Sequence, residues 1–441
     1  MEAWRKLAYS FGSLGSAVLS QAFNTYILFF YVDALKAPKV AIGNVMIVYG
    51  IWNAINDPLF GLISDRTRTR FGRRRPFIAL GTLPLIISFY LLWRPPFTGA
   101  EAGSLIAYFA LMVFLWDGLY TLVILNWTAL FPEMFPSLTE RSRVSAYRQM
   151  FGILGMVLGI ALAPTIYGRW GWPAMGLLFA MIAGISIFAS LLGSQERQAS
   201  PVAPGEPGEQ PLGLVQSLRY TLGNRSFVFY VAGNFLIQLV FLILTAVLPF
   251  YTKYVLGLSD GQTSLLLGAI FAAAFVAMPF WSRYTIHKGA RQAMLVGTIL
   301  FAIFLWGFWL ASSLVTALVV GVLVGVGLAA LMMLFDVLLA DIIDEDEVKV
   351  GQRREGAYFG IQAFIFRLGI SVEAVLVTRL LDASGYVPDA AAQPQAALVV
   401  MRLLLSAIPA MLLAMGFAAV WFYPLHGERL QAVRKALAER R

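Results

Sequence analysis

The longest uncharged stretch of the chain, Gln292–Phe335, runs for 44 residues without Asp, Glu, Lys or Arg. A helix needs roughly 20 mostly apolar residues to cross a bilayer, so this stretch is long enough for two crossings, and we expect a turn near Ser312–Ser313. Of all residues, 59% are hydrophobic and only 13% charged, against about 25% charged in soluble domains. The sequence therefore predicts an all-α membrane protein and excludes a water-soluble globule.

The same criterion gives twelve apolar runs of spanning length, two of them within the long uncharged stretch. Short charged or turn-forming segments separate these runs. The other ten are Leu7–Val32, Val40–Ile63, Pro76–Trp93, Ala102–Pro132, Gln149–Gly168, Trp170–Gln195, Ser226–Thr252, Gly261–Ser282, Gly356–Thr378 and Ala390–Pro424. An even number of crossings places both termini on the same side of the membrane.

The distribution of Lys and Arg indicates the orientation. Of the 33 Lys and Arg residues, 25 fall in the termini and in the alternate connections that share their side, and seven fall on the opposite side. Because cytoplasmic loops carry the excess of Lys and Arg, we expect both termini in the cytoplasm and the protein in a bacterial inner membrane. Topology thus explains the net charge of +9, and nucleic acid is excluded as a partner.

Residue usage also excludes several kinds of site. The chain has no Cys and only two His, so thiolate and histidine metal centres are not expected. The sequence contains no nucleophile motif and no appended soluble domain that would indicate an enzyme. We therefore expect no cofactor, and no metal other than a coupling cation.

A Pro- and Gly-rich segment, SQERQASPVAPGEPGEQPLG, separates the sixth and seventh runs and is typical of a flexible linker. The flanking halves share a repeat, because 25 residues separate Asp33 from Pro58 and 25 separate Tyr254 from Pro279. Parallel six-span repeats are typical of the major facilitator fold. We therefore predict two six-helix bundles of that fold, with these bounds: N-terminal bundle 1–193, cytoplasmic linker 194–222, C-terminal bundle 223–425 and cytoplasmic tail 426–441.

The segment WNAINDPLFGLISDRTRTRFGRRRP carries a motif by which the chain resembles a known family. It is similar to the span-two signature of the glycoside–pentoside–hexuronide cation symporters, the melibiose-permease-like family of the major facilitator superfamily. The resemblance covers nearly the whole chain and implies a secondary transporter that works by alternating access. The matching residues are Asn56-Asp57-Pro58, Gly61, Asp65-Arg66-Thr67, Gly72-Arg73, Arg75-Pro76, Pro132-Glu133, Tyr147-Arg148 and Arg353-Arg354-Glu355-Gly356.

Asp57 is the strongest candidate for binding the coupling cation, because an ionisable residue at membrane depth is costly. Asn53 lies one turn before it and Asn56 directly before it, and the resemblance implies that these residues form the cation site with Thr121 of span four. The family has a second carboxylate where this chain has Asn53. With one negative charge fewer, Na⁺ loses stabilisation while a titrating Asp57 still carries H⁺, so we expect H⁺ coupling, with Na⁺ as the alternative. Asp117, one turn before Thr121, could return the missing charge.

The sugar-binding carboxylates that the resemblance implies do not carry over, since their positions fall on Ala17 and Ile124. Other polar and charged residues within the spans are then the candidates for substrate binding, and helix packing is the alternative for the neutral ones. The resemblance implies a basic residue at the position of Arg367. Arginine stays positively charged there because it cannot deprotonate. We expect a small glycoside or sugar-like solute, with a lysolipid or another amphipathic solute as the alternative. The candidates are Gln21, Asn24, Asp117, Asn126, Arg148, Asn234, Gln238, Arg367 and Glu373.

The loop after the second span and the acidic end of the tenth span predict a cytoplasmic gate. Charge-assisted hydrogen bonds between the two would close the inner end of the transporter, and a purely topological role for the loop arginines is the alternative. We expect a monomer whose partners are the solute and membrane lipid. The predicted gate residues are Asp65, Arg66, Arg73 and Arg74 in the loop, and Asp341 and Asp344 at the end of the tenth span.

Overall fold

The computed structural model describes residues 2–67, 69, 72–135, 138–195, 221, 223–350 and 355–440. Within these ranges every regular element is a helix and no strand occurs. Helices are expected for the apolar runs, because backbone polar groups in lipid have to be satisfied within the segment itself. The predicted linker lies almost wholly outside the described residues.

Seven α-helices precede the predicted linker, and π-helical stretches continue two of them. Gly171 separates the last two helices with a φ of 82°, a left-handed conformation that glycine adopts without steric cost. In chain order the elements are α1 (Ala3–Leu28) with the π-helix Phe29–Ala34, α2 (Lys39–Arg66), α3 (Arg75–Leu92), the short 3₁₀-helix Gly99–Glu101, α4 (Ala102–Met134), α5 (Leu138–Val157) with the π-helix Leu158–Leu162, α6 (Ala163–Trp170) and α7 (Trp172–Gly193).

Nine further α-helices lie in the described residues after position 223. The turn predicted near Ser312–Ser313 is confirmed, because one helix ends at Leu310 and the next begins at Leu314. The predicted tail forms a helix of its own. The nine helices are α8 (Arg225–Tyr254), α9 (Asp260–Lys288), α10 (Ala290–Leu305), α11 (Gly307–Leu310), α12 (Leu314–Val350), α13 (Glu355–Ala383), α14 (Gln395–Leu405), α15 (Ala407–Trp421) and α16 (Gly427–Arg440).

In the part of the chain that the structure describes, ten helical segments are long and apolar enough to cross a membrane. The chain is therefore an integral membrane protein. Helices α1 and α2 are not among the ten, although their lengths of 26 and 28 residues suffice for a crossing. Polar residues such as Gln21 and Asn24 in α1, and Asn53 and Asn56 in α2, lower their hydropathy. The two helices outside the ten thus carry several of the candidate site residues.

The chain divides into two compact units, and the first consists of Met1–Glu206, Leu258–Leu265 and Ala374–Pro394. It therefore includes two short segments from the second half of the sequence. Small residues let its helices approach closely, as where a Cβ on Gly15 of α1 would lie 2.9 Å from the Cα of Ala183 in α7. Helix α4 packs against both α2 and α3.

Three side chains tie α1, α4 and α7 together inside this unit. The Tyr9 hydroxyl donates to the carbonyl of Trp127 at 2.9 Å, and the indole N–H of Trp127 donates to Ser190 Oγ at 2.7 Å. Ser190 Oγ in turn donates to the carbonyl of Tyr9 at 2.7 Å. The closed ring of hydrogen bonds satisfies buried polar groups that lipid could not.

The second unit consists of Pro207–Gly257, Leu266–Glu373 and Gln395–Arg441. Small residues again bring its helices together, since a Cβ on Gly297 of α10 would lie 2.4 Å from the Cβ of Ala330 in α12. Helix α16 packs against α12. The apolar interior of the unit is thus covered at one end by the helix of the tail.

Candidate functional site

Four buried polar side chains meet between α2 and α4 and form the Asp117 cluster, which consists of Tyr49, Asn53, Asn56 and Asp117. Asn53 Nδ2 donates to Asp117 Oδ1 at 3.0 Å, and the Tyr49 hydroxyl donates to the same oxygen at 3.1 Å. The amide of Asn56 donates to the other oxygen, Asp117 Oδ2. Asp117 is only 3% exposed. Amide and phenol donors therefore hold a carboxylate inside a membrane protein.

Helix periodicity explains why these side chains face one another. Tyr49 and Asn53 are four residues apart on α2, and Asn56 follows three residues later, so all three lie on one face. On α4, Asp117 and the buried Thr121 are also four residues apart. Because α2 packs against α4, the two polar faces meet. Thr121, which the sequence assigns to the cation site, thus lies on the same face of α4 as Asp117.

Asp57 lies in α2, but its side chain is outside what the structure describes. Its backbone lies one turn after that of Asn53 on α2. The predicted cation-binding residues Asn53 and Asn56 are therefore brought together, and Asp117 is brought to them. The sequence assigned Asp117 to substrate binding, with the return of the missing charge as the other reading.

Aromatic rings pack beside the Asp117 cluster. The ring centroid of Phe23 in α1 lies 4.4 Å from that of Trp116 and 5.9 Å from that of Tyr49. Trp116 also packs against Tyr120, whose hydroxyl lies 2.7 Å from Ser16 Oγ. This apolar lining lowers the local dielectric constant, so electrostatic interactions with the carboxylate are stronger than they would be in water.

Asn56 has a second polar group that the cluster does not use. Its Nδ2 donates to Asp117, whereas its Oδ1 is buried with no hydrogen-bond partner among the described residues. Leaving a buried acceptor unsatisfied costs about 1–3 kcal/mol. A buried amide oxygen beside a carboxylate is a suitable ligand for a hard cation.

The remaining substrate candidates of the first unit are more scattered. Arg148 stacks on aromatic rings, with its guanidinium carbon 4.6 Å from the centroid of Trp127 and 5.0 Å from that of Phe131. Asn126 donates to the carbonyl of Leu122 on its own helix at 2.8 Å, and its Oδ1 is buried without a hydrogen-bond partner in the described ranges. The candidates Gln21 and Asn24 on α1 are half-buried.

Four substrate candidates belong to the second unit. Asn234 and Glu373 are buried, and each has one side-chain oxygen, Oδ1 and Oε1 respectively, with no hydrogen-bond partner in the part of the chain that is described. Gln238 and Arg367 are half-buried. Asn234 and Glu373 therefore each keep one unsatisfied acceptor inside an apolar helix.

An apolar cavity lies within the second unit, between α8, α9 and α12. Its volume is about 40 Å³, and Thr245 is the one polar residue among the described residues that line it. The hydroxyl of Thr245 donates to carbonyls of its own helix, so the cavity wall offers hydrocarbon. Among its lining residues are Phe241, Leu248, Phe271, Phe301 and Phe308.

A second buried carboxylate lies at the end of α1 opposite the N terminus. The residues of this Asp33 cluster are Asp33, Lys36, Lys39, Asp382, Tyr386 and Asp389. The Tyr386 hydroxyl and the backbone N–H of Asp389, the latter at 3.0 Å, both donate to Asp33 Oδ1. Lys36 Nζ lies 3.3 Å from Asp389 Oδ2, and Lys39 Nζ lies 3.4 Å from Asp382 Oδ1. Lys39 also donates to the carbonyl of Tyr386 at 2.7 Å.

Sequence reasoning used Asp33 only to mark the internal repeat and did not identify this cluster. The available signal was the motif FFYVDALKAPK, which places one acid and two lysines directly after an apolar run. Lys36 and Asp389 both have positive φ values, 59° and 52°, which cost energy in residues other than glycine. The cluster joins the first two helices to a segment that is more than 340 residues away in sequence.

The predicted gate residues Asp341 and Asp344 lie near the C-terminal end of α12. Asp341 accepts a hydrogen bond from Arg434 Nη2 at 3.1 Å, and Glu345 accepts one from Arg429 Nη2 at 2.5 Å. Two arginines of α16 thus contact the acidic end of α12, and the pairing of Asp341 with the loop arginines stays a prediction. Asp344 is half-buried beside these pairs.

The loop side of the predicted gate is described only in part. The side chains of Asp65 and Arg66 lie outside the described residues, whereas Arg73 and Arg74 are half-buried. At the N-terminal end of the first unit, Lys6 Nζ lies 2.7 Å from Glu140 Oε1. The hydrogen bond from Lys6 lowers the pKa of the Glu140 carboxyl below its usual value.

The helical fold of the chain is similar to that of solved membrane transporters. A bacterial homologue of the human lysosomal transporter Spinster, solved in an inward-facing and unoccupied conformation, aligns with a TM-score of 0.68 at 13% identity and covers 100% of this chain and 99% of that one. The nucleoside transporter NupG aligns with a TM-score of 0.66 at 14% identity, covering 95% and 100%. At these identities the likeness is one of fold.

The chain belongs to the MFS/sugar transport protein family, whose model matches residues 8–427. This membership confirms the resemblance to the melibiose-permease-like symporters. The isoprimeverose transporter of Lactiplantibacillus pentosus is 27% identical over 90% of this chain and 84% of that protein. The sodium-dependent lysophosphatidylcholine symporter 1 of Gallus gallus is 24% identical over 99% of this chain and 89% of that protein.

Proposed function

We propose that this protein is a cation-coupled symporter that carries a small glycoside or sugar-like solute across the membrane by alternating access. The observation that carries the proposal is the Asp117 cluster. A carboxylate and two amides are kept buried between spanning helices, where ionisable groups are rare and typically mark ion or substrate pathways. The predicted cation ligand Asp57 lies on α2, one turn after Asn53.

The proposal includes the topology that the sequence predicts. Helices α1 and α2, which are long enough to span, bring the ten more apolar segments to twelve crossings in two six-helix bundles. The excess of Lys and Arg on one side supports cytoplasmic termini and a location in a bacterial inner membrane. The working unit is a monomer surrounded by lipid, without enzymatic activity.

Two observations support a glycoside as the solute. The family is one of sugar transport proteins, and an isoprimeverose transporter is among the relatives. The candidates Asn126 and Asn234 each hold a buried amide oxygen without a hydrogen-bond partner in the described residues. Sugar hydroxyls would satisfy such acceptors.

A lysolipid is the second candidate solute, and the apolar cavity of the second unit favours it. The wall of this small cavity is hydrocarbon, which suits an apolar group better than a sugar hydroxyl. The lysophosphatidylcholine symporters align with nearly the whole of this chain. The absence of carboxylates at positions 17 and 124 also removes charges that an apolar ligand would have to desolvate.

Uptake into proteoliposomes tests the proposal. Purified protein is reconstituted, and radiolabelled glycosides and lysophosphatidylcholine are offered under an imposed Na⁺ gradient, an imposed H⁺ gradient or neither. We expect one solute class to accumulate against its gradient only when a cation gradient is present. Uptake that never exceeds equilibration with any solute or gradient would contradict cation-coupled transport.

A further inference from the structure

We infer that Asp336, together with Tyr230 and Asn234, forms a binding site for adjacent hydroxyl groups of the transported solute. The inference rests on the proposed transport of a glycoside and names residues of the second unit that recognise it. All three residues belong to that unit. Asp336 is the first charged residue after the 44-residue uncharged stretch, and sequence reasoning did not identify it as a site residue.

The carboxylate of Asp336 is accessible although it lies in a packed part of α12. Its neighbours Phe335 and Leu338 are buried, whereas Asp336 is exposed. Within the described residues, no basic group and no hydrogen-bond donor pairs with its carboxylate. A charge in contact with hydrocarbon is costly, and ionisable residues of spanning helices almost always face the interior or a water-filled space. The Asp336 side chain is therefore expected to face a space that water or a polar solute enters.

Two polar groups of α8 lie on the side of that helix that packs against α12. The ring of Tyr230 packs edge to face on that of Phe335, with centroids 6.1 Å apart, and Asp336 is close enough to interact electrostatically with the Tyr230 hydroxyl. Asn234 follows Tyr230 by one turn of α8, on the same face. The Tyr230 hydroxyl and Asn234 Oδ1 are both buried without a hydrogen-bond partner in the described ranges. Three groups with unused hydrogen-bonding capacity thus lie where α8 meets α12.

The chemistry of these groups selects the ligand. A carboxylate and an amide oxygen accept hydrogen bonds, and a phenol hydroxyl both donates and accepts them. Adjacent hydroxyls of a sugar ring supply such donors and acceptors, and hydrogen bonds to an ionised carboxylate are stronger than those between neutral groups. A quaternary ammonium group would balance the charge of Asp336 but has no hydrogen to donate to Asn234. The site therefore favours a polyhydroxylated solute over a phosphocholine headgroup.

The site also supplies a carboxylate that the first unit lacks. The sugar-binding carboxylates implied by the family resemblance fall on Ala17 and Ile124, both of which belong to the first unit. Asp336 offers a carboxylate from the second unit instead. We therefore expect the affinity for a glycoside to depend on α12.

Binding of glycosides to the purified full-length protein tests the inference without transport. Isothermal titration calorimetry is carried out with methyl α-galactoside, methyl β-glucoside and methyl β-xyloside. We expect Asp336→Asn to raise the dissociation constant of the tightest of these by about tenfold or more, because a hydrogen bond to a charged group is lost. Glu101→Gln makes the same chemical change at an exposed position in the short 3₁₀-helix before α4 and should leave the dissociation constant unchanged.

Monodeoxy analogues of the same glycoside identify a direct contact. Removing the hydroxyl that binds Asp336 should weaken binding to the wild-type protein by about tenfold or more. The same analogue should bring a further loss of less than about twofold in Asp336→Asn, because the two changes remove one interaction. If every analogue loses the same factor in both proteins, Asp336 does not contact the solute and the inference is overturned.

The stability of the variants separates binding from a structural role. Neither the Asp336 carboxylate nor the Tyr230 hydroxyl makes a hydrogen bond among the described residues, so Asp336→Asn and Tyr230→Phe should unfold at or above the wild-type melting temperature. Tyr230→Phe should weaken glycoside binding by about threefold to tenfold, since a hydrogen bond between neutral groups is lost. A lowered melting temperature that accompanies the loss of binding in Asp336→Asn would make its effect structural and contradict the inference.

The outcomes distinguish this inference from the proposed function. Unchanged glycoside binding by Asp336→Asn overturns the inference and leaves glycoside transport intact. Unchanged binding together with a loss of uphill accumulation would assign Asp336 to the cation, which also overturns it. A wild-type protein that binds none of the three glycosides overturns both this site and the transport of a glycoside.

Discussion

The Asp117 cluster and the Asp33 cluster both bury a carboxylate almost completely, with exposures of 3% and 1%, yet their neighbours differ. The four members of the Asp117 cluster are one acid, two amides and a phenol. The six members of the Asp33 cluster are three acids, two lysines and a tyrosine. The amide and phenol donors to Asp117 are neutral, whereas the two lysines of the Asp33 cluster form ion pairs with its other two acids, Asp389 and Asp382.

This difference separates a site that attracts a ligand from a contact that holds segments together. The Asp33 cluster lies at the helix ends and ties Tyr386 and Asp389 to the first two helices. The Asp117 cluster lies between α2 and α4, beside aromatic rings. Loss of cation coupling is therefore expected from changes near Asp117, and loss of stability from changes near Asp33.

The largest effect is expected from Asp57→Asn. Removing the carboxylate leaves the driving cation without its predicted ligand, so solute accumulation should fall to simple equilibration while exchange of internal for external solute continues. Proteoliposome uptake under a cation gradient measures this directly. Full uphill accumulation by this variant would contradict the assignment of cation binding to α2, and with it the contrast between the two clusters.

Asp33→Ala should lower stability and leave coupling in place. It removes the acceptor of the Tyr386 hydroxyl and of the Asp389 N–H, and the buried Tyr386 donor left unsatisfied costs about 1–3 kcal/mol. The melting temperature in detergent, with and without Na⁺, measures both properties. Asp33→Asn is the control, because its amide oxygen still accepts hydrogen bonds. A lost Na⁺ response in either variant would show that the two clusters are coupled.

Tyr49→Phe should have a smaller effect. The change removes one of three donors to Asp117, worth about 1 kcal/mol of folding stability, while Asn53 and Asn56 still hold the carboxylate. Thermal unfolding against Na⁺ concentration should give a lower melting temperature and a half-maximal concentration within about fivefold of wild type. A shift of about tenfold or more would instead make the phenol a member of the ion site.

Lys39→Met should have the smallest effect. Lys39 lies at the edge of the Asp33 cluster, and its partner Asp382 is half exposed, so water screens the pair and its loss should cost less than about 1 kcal/mol. Lys36→Met is the matched control, since the Lys36 side chain is 56% exposed and should contribute still less. Thermal unfolding of the two variants under the same conditions compares their melting temperatures. A larger decrease in melting temperature for Lys36→Met than for Lys39→Met would contradict this order.

Several features of the fold were predictable because they depend on local composition. The turn between α11 and α12 was predicted correctly because 44 uncharged residues exceed one bilayer crossing. The family was recognised from one motif in and after α2, and its model covers nearly the whole chain. Asn53, Asn56 and Asp57 stood out because polar residues in an apolar helix are costly.

Other features depend on contacts between distant segments. Asn53 and Asp117 are 64 residues apart in sequence, and helix periodicity relates only residues of the same helix. Asp341 and Arg434 of α16 are 93 residues apart in sequence and form a hydrogen bond. The tail is rich in charge, so its composition alone did not indicate a helix packed on α12.

The sequence by itself determined that this protein is helical, lies in a membrane and belongs to a transporter family, because apolar length, charge distribution and one motif are properties of the linear chain. Only the tertiary structure decided which buried groups meet. The packing of α2 on α4 brings Asp117 to Asn53 and Asn56, and the docking of residues 374–394 on the first two helices brings Tyr386 to Asp33. These contacts depend on how helices pack against one another. A periodic pattern in the sequence specifies which residues share a helix face, but it does not specify which other helix that face contacts.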